Sequence, residues 1–115
     1  MINVYSGRNV TSNNERSIVN EYCDKYGTDH IDAAFLAAGY TRAFNLGTDE
    51  ASIELYTFNK QKDDEPKEFT GIALVSLGEH IEEYAMPTFH DALDFMREYA
   101  PTIKGIIALK KHTDF

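Results

Sequence analysis

The sequence predicts an α+β fold: a single domain of about three helices packed on a mainly antiparallel sheet of four to five strands. Three observations point there. Two stretches with helical spacing of apolar residues come early, stretches of period two follow, and one more helical stretch lies near the end. Runs of strands beside runs of helices, rather than strict alternation, place helices on a largely antiparallel sheet. The 115 residues are 43% hydrophobic and include seven Phe and seven Tyr. That suits one core, and no repeat or linker divides the chain.

Ile2 and Val4 alternate with polar neighbours before Gly7, so residues 2–5 read as a short strand. Ser12-Asn13-Asn14-Glu15 has the form of a capping box, in which each end serves the other's backbone N–H. Ile18, Val19, Tyr22, Cys23 and Tyr26 then share one face, which predicts a helix over 13–26, closed by Gly27 in the left-handed conformation. Asp29 is the expected cap of a second helix, with Asp32 three residues on, an apolar stripe of Ile31, Ala34, Phe35 and Ala38, and Gly39 at its end. Period two then takes over. Residues 42–46 and 52–60 form a hairpin around Gly47-Thr48-Asp49-Glu50, with Ile53 and Leu55 on one face and Tyr56 and Phe58 on the other.

A polar loop broken by Pro66 leads to 69–77, whose nearly continuous apolar run marks a central strand covered on both sides. Gly78 ends it, and 79–86 reads as another strand. Thr88 caps a third helix with Asp91 at its third position, and Phe89, Ala92, Leu93, Phe95, Met96 and Tyr99 supply its buried side. Pro101 is expected to stop that helix. A last strand over 103–109 and a polar tail follow.

Composition narrows the function classes. A single cysteine, Cys23, permits no internal disulfide, which suits a reducing compartment. It falls on the apolar stripe of the first helix, where a thiol is structural rather than nucleophilic. The start lacks the basic and apolar regions of a signal peptide, and no apolar run approaches the ~20 residues of a membrane span. The expectation is a cytoplasmic protein. A pI near 4.8 argues against direct nucleic-acid binding. The glycines are scattered, and no phosphate loop, G-x-S-x-G elbow, C-x-x-C or H-E-x-x-H occurs. The order of elements resembles the first half of a GNAT-type acetyltransferase. Where that family carries a glycine-rich pyrophosphate loop, this chain has Gly78-Glu79-His80-Ile81-Glu82-Glu83. Carboxylates there repel a coenzyme, so that activity is set aside and no cofactor is expected.

Two clusters have the ligand chemistry of a metal site. His80, Glu82, Glu83, His90, Asp91 and Asp94 crowd into fifteen residues. Asp24, Asp29, His30 and Asp32 span the junction of the first two helices, where Asp29 and Asp32 already serve as helix-start carboxylates. Fixed pairs on a helix want i, i+3 or i+4 spacing, whereas His80 and His90 straddle a strand end, Pro87 and a helix start and converge only through tertiary structure. A small metal-dependent enzyme using His80, Glu83, His90 and Asp94 is therefore the second expectation, behind a binding protein. A homo-oligomeric structural or sensory subunit, joined through an exposed sheet edge, is the third.

The first expectation rests on charge. Residues 63–98 hold ten acidic and two basic side chains, which accounts for the whole net charge of −8; the remaining residues balance. Asp91, Asp94 and Glu98 at i, i+3 and i+7 lie roughly 4.5 and 6 Å apart along a helix axis, a pitch comparable to that of phosphates along a strand. Glu79, Glu82 and Glu83 extend the surface, and Asp63, Asp64, Glu65 and Glu68 add an acidic loop. Tyr56 and Tyr84 are the tyrosines expected to be exposed as anchors for a partner. In size and charge the chain resembles small inhibitors carried by phages and mobile elements, such as anti-CRISPR and antirestriction proteins. That resemblance is one of type, without a shared motif. It implies a non-enzymatic module that occludes the basic groove of a nucleic-acid-binding enzyme.

Overall fold

The computed structural model describes residues 1–48, 50–58 and 67–113, without the side chains of 110–113. Among the described residues, nine elements run in the order β1 (Ile2–Ser6), β2 (Asn9–Asn13), α1 (Ile18–Tyr26), α2 (Ile31–Ala37), β3 (Thr41–Gly47), β4 (Ala51–Thr57), β5 (Gly71–Leu77), β6 (His80–Met86) and α3 (Phe89–Thr113). The α+β class stands, but the expected sheet does not. Six strands form one mixed sheet in the order β2-β1-β6-β5-β4-β3. Four pairings are antiparallel, and β1 lies parallel to β6.

Helices cover both faces. On one side Ile2, Phe35, Tyr40, Tyr56, Ile72 and Ala85 pack with Ile18 beneath α1 and α2. On the other, Tyr5, Ile53, Leu55, Ala73, Met86 and Phe95 pack beneath α3. Alternate residues of one strand serve opposite layers: Ile72 and Leu74 of β5 face α1 and α2, Ala73 and Val75 face α3. Five successive residues of β5 are consequently buried, as its apolar run predicts. The split of β4 is also as expected, with Ile53 and Leu55 opposite Tyr56 and Phe58.

Three local expectations are corrected. Ser12 to Glu15 is not a helix start. Residues Asn9–Asn13 form edge strand β2, Ser12 Oγ donates to Asn3 Oδ1 (2.6 Å), and Asn13 Oδ1 accepts from the Glu15 N–H (2.9 Å). The cap of α1 is Ser17, whose hydroxyl accepts from the Asn20 N–H. His30, not Asp29, is the residue before α2, and it makes no side-chain cap. Finally, α3 runs straight through Pro101, so 103–109 is helix and not strand. Proline removes the bond to the Arg97 carbonyl and costs about 3 kcal/mol. Beyond it, Ile103 is buried at 2% exposure and Ile107 packs on the same cluster. Burial of one such side chain returns about 1.5–3 kcal/mol, and resumed helical bonding adds to it.

The β1–β2 turn is Gly7 and Arg8, both with positive φ (58° and 66°), between the paired residues Ser6 and Asn9. Two central residues with φ > 0 fit the twist of a tight hairpin. Gly7 takes this conformation freely, whereas Arg8 does so at a cost of roughly 1–2 kcal/mol.

Candidate functional site

The helical row Asp91, Asp94 and Glu98 turns toward the β1–β2 hairpin. Asp91 is buried; its Oδ1 accepts the Gly7 N–H (3.0 Å) and its Oδ2 the Thr88 hydroxyl (2.8 Å), while its own N–H donates to Thr88 Oγ1 (3.1 Å). The Gly7 amide, followed by the Thr88 bonds, holds the Asp91 carboxyl below its usual range against the opposing effect of burial. Asp94 is also buried, with His90, Arg8 and Arg97 at 3.5–3.8 Å. Glu98 is exposed and accepts the hydroxyl of buried Tyr5 (2.7 Å). Burial, then Glu98, pushes that hydroxyl up to about 12. The row thus clamps the strained turn to α3, a use that i, i+3, i+7 spacing alone does not reveal.

The other expected carboxylates lie on different faces. Glu83 points beneath α1, is buried, and caps that helix by accepting from the Ser17 hydroxyl (2.6 Å) and the Val19 N–H (2.9 Å). Glu82, half-buried on the opposite face, accepts from Tyr84 (2.8 Å) and lies 3.4 Å from His80. Glu79 is exposed in the β5–β6 turn. Glu68 pairs with Arg16, which also holds Glu21; the Arg16 hydrogen bonds draw its carboxyl below the usual value. Asp63, Asp64 and Glu65 lie outside the described residues.

The expected anchors are corrected: Tyr56 and Tyr84 are 1% and 8% exposed. Burial first, then neighbouring carboxylates, raises both hydroxyls, so they remain protonated donors. Nor do His80, Glu83, His90 and Asp94 converge. Glu83 lies across the sheet from the other three, and the described residues contain no grouping of three metal-ligating side chains.

The carboxylates that do share a concave surface are mostly others. The layer made by α1 and α2 stops short of one end of the sheet. There two adjoining depressions, of about 410 and 320 Å³, share Glu54, Ser76 and Ile81. Asp29, His30 and Asp32 at the start of α2 line one end, and Gly78 and Glu79 the other. Among the described residues, neither lining holds a lysine or arginine. The buried Tyr56 hydroxyl lies between two of these groups, donating to Asp32 and within 3.0 Å of Glu54. One hydroxyl has one proton, so it cannot serve both carboxylates at once. Exposed Ile81 (49%) adds an apolar floor.

Sequence reasoning identified Glu79 and explained Asp29 and Asp32 as helix-start groups. Glu54 was missed. Its signal was the alternation of β4, which places it beside Leu74 and on the same face as Tyr56. No family model, curated protein or solved structure matches the chain.

Proposed function

We propose that this chain is a protein-binding module that engages a basic surface, and that the groove of a nucleic-acid-binding enzyme is the target its chemistry fits. One observation carries the reading: two adjoining depressions, sharing Glu54 and lined besides by Asp29 and Asp32 in one and Glu79 in the other, with no lysine or arginine in their described lining. Carboxylates on concave, partly desolvated walls focus negative potential and favour a cationic partner. Arginine is the best-matched counterpart, since its planar fork spans paired carboxylate oxygens. Ile81 gives the stem of such a side chain an apolar seat. Occlusion, in this reading, comes from the open end of the sheet rather than from α3.

The test is capture of DNA- and RNA-binding proteins on the immobilised chain, with DNA as competitor. Capture is expected to be displaced by DNA and to weaken as salt rises. It should fall at least about tenfold in a variant carrying Asp29→Asn, Asp32→Asn, Glu54→Gln and Glu79→Gln. Those replacements keep acceptors near Tyr56. The exposed pair Asp29→Asn and Glu79→Gln, made alone, should show part of the loss without touching the core. Capture indifferent to salt and to both variants refutes the proposal.

A further inference from the structure

Strand β3 forms one edge of the sheet, and six of its seven residues are exposed. An edge strand presents a row of backbone donors and acceptors that can pair with another strand. Within β3 the register shifts: Arg42 pairs with Tyr56 and Phe44 with Leu55, leaving Ala43 as an extra residue. That bulge decides which way the side chains point. Without it, Arg42 and Phe44 would share a face. With it, Arg42 stands on the α1–α2 side and Phe44 on the α3 side.

Ala43 and Phe44 both border a depression of about 540 Å³ between β3 and α3, completed by Phe89, Leu93, Met96 and Arg97 among others. Phe44, Phe89 and Leu93 are 40%, 54% and 42% exposed. The described lining contains no carboxylate. This matters in a chain of net charge −8. Two copies repel each other over much of their surfaces, and this face offers apolar contact without adding acid to acid. The opposite edge, β2, is also exposed, but Val10 is its one apolar side chain. A strand edge is complementary to itself about a two-fold axis, because antiparallel pairing lets each copy supply donors and acceptors in the same register.

We propose that β3 is a homodimer interface. It pairs antiparallel with β3 of a second copy, joining two six-stranded sheets into one, and Phe44, Phe89 and Leu93 of each copy pack across the joint. The apolar depression and the acidic groove lie on opposite faces of the sheet, although Asn45 and Gly47 of β3 also line the end of the groove.

Sedimentation velocity of the full chain across about 1–100 µM, the range in which a micromolar Kd is visible, tests it. A dimer is expected, and it should tighten as salt rises because residual repulsion is screened. Groove binding has the opposite salt dependence, so the two readings fail separately. Phe44→Lys with Leu93→Lys should weaken dimerisation about tenfold or more, while Val10→Lys on the other edge leaves it intact. Should the double variant not fold, Phe89→Lys, exposed in the first turn of α3, makes the same test. A monomer throughout, a dimer that survives these lysines, or one broken by Val10→Lys overturns the proposal.

Discussion

Asp91 shows how one side chain can look like surface and work as structure. In the sequence it is the third residue after a capping Thr88, and it does make that contact. Its second role, receiving the Gly7 amide from 84 residues away, is tertiary and has no signature in local spacing. Glu83 is similar: alternation puts it on one face of β6, but only the packed α1 shows that this face holds the Ser17 and Val19 donors. Acid sensitivity follows from Asp91. A carboxyl whose folded-state pKa is depressed stabilises the fold above its unfolded value of about 4, and that contribution disappears as pH falls through the lower folded value. Urea unfolding is therefore expected to show stability dropping below about pH 4. Asp91→Asn should flatten that drop and cost about 1–3 kcal/mol at neutral pH, through weakened bonds to Gly7 and Thr88.

At the scale of elements, α3 is the sharpest lesson. Its 25 residues contain Pro101, yet the helix continues because Ile103 and Ile107 find the core on the far side. Pro101→Ala should restore the bond to the Arg97 carbonyl and raise stability by about 1–3 kcal/mol, the upper limit being lowered by the freer unfolded chain. A denaturation midpoint that does not rise shows that the helix gains nothing from the missing donor. Strands β4 and β5 were legible, since their apolar periodicity is what burial on one or two faces requires. Strand β2 was not. Asn9, Val10, Thr11, Ser12 and Asn13 are all exposed, so no apolar pattern marks them, and Ser12 with Glu15 imitates a helix start. The parallel placement of β1 against β6 was equally hidden, because pairing between distant strands leaves no trace in the spacing of either. For the acidic groove, Asp29, Asp32 and Glu79 were visible as acidic residues, but their meeting with Glu54 depends on where the α1–α2 layer stops.

For the whole molecule, the two cores share one sheet and should fail together. Tyr40 and Tyr56 belong to the layer under α1 and α2, Tyr5 and Tyr84 to the layer under α3. Burial, as the leading cause, raises the pKa of all four. A tyrosine whose folded-state value is raised lends stability that is full below about pH 10, where the unfolded side chain ionises, and is lost as pH rises toward the folded value. Spectrophotometric titration is expected to show the phenolates of both layers appearing in one step above about pH 10, coincident with the loss of circular dichroism. Two separated steps would mean that the layers melt independently. The place of β1 has a further consequence. Apart from its own hairpin partner, its sheet neighbour is β6, with Ile2 opposite Glu83 and Val4 opposite Ala85. A ribosome making this chain from the amino end must therefore leave the first hairpin, complete at Asn13, waiting until roughly seventy more residues have emerged. Closure of the sheet is a late, high-contact-order event, and until β6 emerges the newborn chain carries β1 with one of its two edges open.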